Sequence, residues 1–195
     1  MIIGLSGYAR SGKDTVANIL VSQGFTRVAF ADAIRESLFI LNPLVGDSLR
    51  LQECIWMNGG WEGAKILPEV RTLLQVFGTD VGRKLLGENV WVDVLFSSLN
   101  PDKNYVVSDV RFENECEAIL SRGGEMWRIN RADVGPVNGH ISDSALDSYK
   151  DFAYTINNSD SLTVLNLKVM NRLEKVLGAA CCYRGCEGCA TYAKN

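Results

Sequence analysis

Ile2, Ile3 and Leu5 crowd into residues 2–6, the continuous apolar pattern of a strand buried on both faces. The spacing then lengthens. Val16, Ala17, Ile19 and Leu20 fall on one side of a helix over 12–22. "RVAFA" at 27–31 predicts a second strand, and "DAIRESLFIL" the helix after it. Three more strands are expected from "YVVSD" at 105–109, "EMWRIN" at 125–130 and "FAYTINN" at 152–158. "ENECEAILSR" is a helix between the first two of these, and "LTVLNLKVMNRLEKVL" is a closing amphipathic helix ending about Leu177. Between 42 and 66 the pattern breaks down around Pro43, Gly46, Gly59, Gly60 and Gly63, with Trp56 and Trp61 among them, and predicts an excursion from the core. No segment repeats. Strands alternating with helices predict an α/β fold, a parallel sheet with helices on both faces.

Pro68 suits the first position of a long helix. Val70, Leu73, Leu74, Phe77, Val81 and Leu85 would form its apolar stripe. About 100° around the axis from that stripe lie Arg71, Gln75, Gly78 and Gly82. A glycine inside a helix costs ~1 kcal/mol relative to alanine, so two on one face call for a reason. Two readings stand: close helix packing through G-x-x-x-G, or a face kept open for a ligand whose phosphate Arg71 reaches.

A chain of 195 residues supports one sizeable core with a small subdomain. Its net charge of -3 argues against binding a nucleic-acid polymer, which selects basic surfaces. Apolar runs fall well short of the ~18 residues of a membrane span. The N-terminal stretch has no basic region before its apolar run, so no signal peptide is expected and the location is read as cytoplasmic. Six cysteines without export signals favour free thiols. Four of them, Cys181, Cys182, Cys186 and Cys189, belong to a C-terminal tail at 179–195, read either as a metal site or as a passive thiol-rich tail.

The candidate chemistry starts between the first strand and helix, at "GYARSGKDT". Gly7, Gly12 and Lys13 meet the phosphate-loop pattern G-x-x-x-x-G-K, and Asp14 stands where Ser or Thr is usual. Such a turn aims backbone N–H groups and a helix N-terminus at phosphates, and Lys13 would bridge the outer phosphates of a nucleoside triphosphate. Asp14 either holds Mg²⁺ or interacts with the helix dipole. Thr15 can reach an inner phosphate.

At the second strand's exit, Arg35 in "ADAIRES" is the first candidate for gripping an acceptor phosphate. At the third strand's exit, "VVSDVRFENE" puts Asp109 in the position of a Walker-B acid. Arg111 could bridge donor and acceptor phosphates, and Glu115 could orient Arg111 or another arginine. A nucleoside monophosphate, with a second pKa near ~6, is already anionic at neutral pH and needs no catalytic base. Its transfer needs arginines and Mg²⁺. Arg35, Arg71, Arg111, Arg128 and Arg131 beside one histidine fit that demand.

"GYARSGKDTVANIL", "FADAIRE", "PEVRTLLQVFGTDVGRKLLGENVWVD" and "VVSDVRFENE" together resemble the deoxynucleoside monophosphate kinases of tailed bacteriophages, over about residues 1–160. The resemblance implies a three-layer P-loop kinase fold with strand order 2-3-1-4-5. It implies ATP-dependent conversion of deoxynucleoside monophosphates to diphosphates, with Mg²⁺, in a homodimer, in the host cytoplasm if phage-encoded. By motif position, Gly7, Ser11, Gly12, Lys13, Asp14 and Thr15 would hold the donor. Arg35, Arg71, Gly78, Thr79 and Trp91 would line the monophosphate site, with Asp109, Arg111 and Glu115 beside the phosphates. The kinase domain would span 1–178, with a monophosphate-binding excursion at about 33–90. A lid at about 130–148 would bring Arg131, His140, Ser142 and Asp143 over the ATP phosphates, although related chains more often carry Ser-Glu where this one has Ser142-Asp143. Two other readings remain open: a P-loop kinase of another small phosphorylated metabolite, such as phosphomevalonate, and a non-catalytic nucleotide-binding protein.

Overall fold

A computed structural model describes residues 1–135 and 144–183, with the side chains of 179–183 excepted. Its centre is a five-stranded sheet in which every adjacent pair is parallel. Strands β1 (Ile2–Ser6), β2 (Thr26–Val28), β5 (Tyr105–Val107), β6 (Glu125–Asn130) and β7 (Tyr154–Asn157) lie in the order β2-β5-β1-β6-β7. Counted within the sheet this is 2-3-1-4-5, the order the resemblance implied. The fold is the expected three-layer α/β arrangement.

Alternation along β1 divides the interior. Ile3 and Leu5 face helices α1 (Lys13–Ser22) and α8 (Leu162–Tyr183), in a core with Val16, Leu20, Trp127 and Val169. On the other face, Val107 and Met126 pack under α6 (Val90–Ser98) and α7 (Glu113–Leu120), with Trp91, Leu95 and Ile119. Gly4 points to that second side, where a Cβ would come within 2.5 Å of Met126 Sδ.

The excursion has a small core of its own. Helix α2 (Ala31–Leu41) leads into a hairpin of β3 (Leu44–Val45) and β4 (Leu49–Arg50), then α3 (Leu51–Met57) and α4 (Trp61–Ala64). Leu38, Val45, Leu51, Cys54, Ala64 and Val70 are buried together there. Ile34 and Phe77 pack against this cluster and against the second sheet-face core, tying the two.

Several boundaries differ from the sequence reading: β5 stops at Val107 instead of 109, and β7 covers Tyr154–Asn157 instead of 152–158. The second strand ends at Val28 and α2 begins at Ala31, because a carboxylate caps the chain at that point (below). The closing helix continues past Leu177 to Tyr183. Helix α5 (Pro68–Gln75) opens on its proline as expected, but Val76–Leu86 continues as a π-helix, ended by Gly87 at φ 134°. The wider i→i+5 turn breaks the predicted stripe: Leu85 is 76% exposed, whereas Gly78 and Gly82 are buried. Among the described residues no helix is long and apolar enough to cross a membrane. His140, Ser142 and Asp143 of the expected lid, and Cys186 and Cys189 of the tail, lie outside the described residues.

Candidate active site

The loop from Gly7 to Lys13 bends through backbone conformations that suit glycine. Gly7 has φ 148° and Gly12 φ 104°, and both are tightly hemmed. A Cβ on Gly7 would lie 2.3 Å from the Ile129 carbonyl oxygen, and one on Gly12 would lie 2.2 Å from Asn158 Nδ2. Asn158, just beyond β7, donates from Nδ2 to the Ser11 carbonyl at 2.9 Å and so props the loop from the far strand. Lys13 Nζ donates to the carbonyls of Gly7 (2.7 Å) and Tyr8 (2.8 Å). Burial, and then the Arg111 guanidinium, pull its pKa down to about 8, with Asp14 and Asp109 opposing. Added negative charge here relieves both effects. Ser11 is buried, and its Oγ has no hydrogen-bond partner among the described residues.

Thr15 is half-buried in the first turn of α1. Asp14, also in that turn, is exposed and pairs with Arg27 of β2, whose Nε donates to Ser108 Oγ at 3.1 Å. Among the described residues, no group of three or more His, Cys, Asp or Glu could hold a metal.

Beyond β5, Asp109 accepts the backbone N–H of Phe30 at Oδ1 (2.8 Å) and of Ala31 at Oδ2 (2.9 Å). A carboxylate distant in sequence thus satisfies the first amides of α2. Burial raises its pKa, against the pull of those amides and of Arg111. Glu115 is buried as well. Its Oε2 accepts the backbone N–H of Arg111 (2.7 Å) and Phe112 (3.1 Å), and its Oε1 pairs with Arg83. Burial pushes its pKa up to about 7, opposed by these amides and Arg83. Of the two alternatives for Glu115, the side-chain partner is therefore another arginine, Arg83, while Arg111 is held through its amide.

A cavity of about 260 Å³ opens between this edge and the excursion. Arg35, Arg71, Gly78, Thr79, Trp91, Asp109, Arg111 and Glu115 all line it, joined by Lys65 and Arg83, which the sequence reading missed. One wall is cationic. Arg71 Nε donates to the Lys65 carbonyl at 2.7 Å, and Glu62 reaches Lys65 Nζ (2.6 Å) and Arg35 Nη2 (3.5 Å). The other wall is apolar, built from Phe30, Ile34, Leu74 and Trp91. Trp91 is 6% exposed, donates from Nε1 to the Gly78 carbonyl at 2.8 Å, and lies against Gly82. The glycine pair thus serves helix packing at Gly82, while Gly78 also borders the cavity.

A second recess of about 20 Å³ lies under the glycine loop, between Ser6, Gly7, Tyr8 and Arg128. Arg111 borders both spaces. Arg131 lies exposed beyond β6 and borders neither. Arg27, Lys65, Arg83 and Asn158 carry no local sequence signal, because each meets its partner through the fold.

A family model described as Deoxynucleotide monophosphate kinase matches residues 65–169, over half of the chain. A protein of Acanthamoeba polyphaga mimivirus named "Putative deoxynucleotide monophosphate kinase" is 29% identical over 182 residues, spanning 83% of this chain and 90% of that protein. The deoxynucleoside-5'-monophosphate kinase of Escherichia phage T5 is 29% identical over 121 residues, 55% of this chain and 48% of that protein. Among solved structures, a shikimate kinase from Aquifex aeolicus aligns with TM-score 0.45 at 14% identity, over 91% of this chain and 98% of that chain.

Proposed function

This chain belongs to the deoxynucleotide monophosphate kinase family, and on that premise we propose that it transfers the γ-phosphoryl group of ATP to a deoxynucleoside monophosphate, yielding the diphosphate and ADP. The observation that carries this reading is the double position of Arg111, bordering both the recess under the glycine loop and the larger cavity. A guanidinium there meets donor and acceptor phosphates together.

The donor phosphates lie on the loop amides from Gly7 to Thr15, where the Lys13 ammonium and the Ser11 hydroxyl converge. The acceptor phosphate is held by Arg35, Arg71 and Lys65. Its sugar and base occupy the slot formed by Gly78, Thr79 and Trp91. Because that phosphate is anionic at neutral pH, the residues' task is to align two polyanions and offset their repulsion. Asp14 and Asp109 form the carboxylate pair that would hold Mg²⁺, which usually takes one or two carboxylates with waters and phosphates. Asp14 is exposed and would share its carboxylate between Arg27 and the ion, and Asp109 keeps lone pairs beside its two amide bonds. The ion would neutralise phosphate charge. Arg131 would approach the donor from the end of β6. Residues 33–90 form the acceptor-binding excursion, a reading supported by its separate core. The working unit is taken as a homodimer, which sedimentation equilibrium tests.

The experiment is a coupled ADP-release assay across dAMP, dGMP, dCMP, dTMP, the ribonucleotides and phosphomevalonate. Turnover with deoxynucleoside monophosphates is expected. ATP binding with no transfer to any monophosphate would overturn the reading.

A further inference from the structure

Arg83 lies at the meeting point of three elements. Its Nη2 pairs with Glu115 of α7, while Nη1 reaches Asn114 Oδ1 (3.1 Å) and the Glu88 carbonyl (3.3 Å). Its guanidinium lies 3.9 Å from the centroid of the Phe112 ring. The ion pair is almost entirely enclosed, with Arg83 and Glu115 side chains 10% and 5% exposed. Such pairs contribute little net stability, since desolvation offsets the Coulomb attraction. A role other than stability is therefore indicated.

The π-helix explains how Arg83 reaches inward. In an α-helix, residues five apart point roughly 140° away from each other, so Gly78 and Arg83 would face opposite ways. The i→i+5 turn of Val76–Leu86 brings them to one side, and both line the cavity.

What Arg83 holds is the loop that carries Arg111. The carboxylate it pairs with accepts the amides of Arg111 and Phe112, and the ring it covers is that of Phe112. We infer that Arg83 is a positioning residue for phosphoryl transfer: through Glu115 and Phe112 it fixes the backbone from which Arg111 reaches between the two substrates. The inference rests on the proposed function. It adds a residue of the π-helix, which contacts the acceptor cavity, to the alignment of the reacting groups.

The test compares wild type with Arg83→Met and Arg83→Lys in steady-state kinetics varying ATP and dNMP in turn. Hydrogen exchange at the amides of Arg111 and Phe112 is measured in the same proteins. Displacing a reacting group by about 1 Å can cost about 100-fold in rate. Arg83→Met is therefore expected to lower kcat by roughly that factor, with both KM values nearly unchanged and both amides exchanging faster. Arg83→Lys keeps a charge for Glu115 but loses the fork, and should recover part of kcat. It also serves as the folded reference if Arg83→Met does not fold. In a Glu115→Gln background, Arg83→Met should add little further loss, because both act through one contact. Unchanged kcat in Arg83→Met, or in Arg83→Lys where that is the folded variant, overturns the inference. So does unchanged exchange, or a loss confined to the dNMP KM. If wild type itself transfers nothing to any monophosphate, the proposed function fails instead, and the exchange measurement alone decides whether Arg83 holds the loop.

Discussion

Replacing Gly82 with alanine tests how tightly the acceptor cavity is assembled. The added Cβ would lie 2.4 Å from Trp91 Cζ2 and 2.5 Å from both Cε2 and Nε1. Those atoms belong to a rigid ring that is 6% exposed and cannot turn aside as a flexible chain end would. Two costs follow. Overpacking a filled site costs about 1–3 kcal/mol, and displacing Trp91 Nε1 from the Gly78 carbonyl, 2.8 Å away, leaves a buried donor unpaired at about 1–3 kcal/mol. Alanine's better helix propensity returns about 1 kcal/mol. The net expectation is destabilisation by about 1–5 kcal/mol, read from urea unfolding midpoints. Gly178→Ala is the internal control. Its Cβ would meet nothing within 4 Å on helix α8, so only the propensity term applies, and it should stabilise by up to about 1 kcal/mol. If Gly82→Ala behaves like Gly178→Ala, the close packing of the π-helix on Trp91 is wrong.

Lys13 has its proton held loosely in the free protein, with a pKa near 8, and bound phosphates favour the charged form. ATP binding should therefore take up a proton above that pH and weaken about tenfold between pH 7 and pH 9; calorimetry that finds a flat profile would count against it. On the proposed function, Arg71→Ala would remove one charged contact to the acceptor phosphate, about 1.5–3 kcal/mol. It should raise the dNMP KM roughly 10- to 150-fold with little change for ATP, and a rise only in the ATP KM would reverse the assignment. Asp14→Ser removes both a carboxylate and the partner of Arg27. Activity should persist with a shifted Mg²⁺ dependence, and an unchanged Mg²⁺ titration would leave Asp14 as a partner of Arg27 and the helix dipole.

Sheet strands and glycine-loop residues were legible because their signals are local. Ile2–Leu5 needs only its apolar run, and Gly7 and Gly12 only their spacing from Lys13. Asp109, Arg111 and Glu115 could be placed at a strand exit, but not their contacts. That Asp109 caps α2, or that Glu115 pairs with Arg83 instead of the Arg111 side chain, depends on segments that approach only after folding. The π-helix was hidden for another reason. The apolar spacing of 70–85 fits an ordinary helix, and nothing in it records that Gly82 must yield to a ring nine residues on. Irregularity at 42–66 was visible, yet its glycines and single proline gave no hint that the hairpin and short helices would enclose buried residues of their own.

Trp91 also gives the molecule an optical property. Of the four tryptophans, it alone borders the acceptor cavity. Trp56 is 84% exposed and emits from a water-like environment, whereas Trp127 is sealed in the core on the opposite face of the sheet. On the proposed function, a nucleobase entering the cavity would come against the indole of Trp91, whereas neither Trp56 nor Trp127 lines that cavity. On that reading, adding a deoxynucleoside monophosphate should change the intrinsic fluorescence through Trp91, and ATP added alone should leave it unchanged.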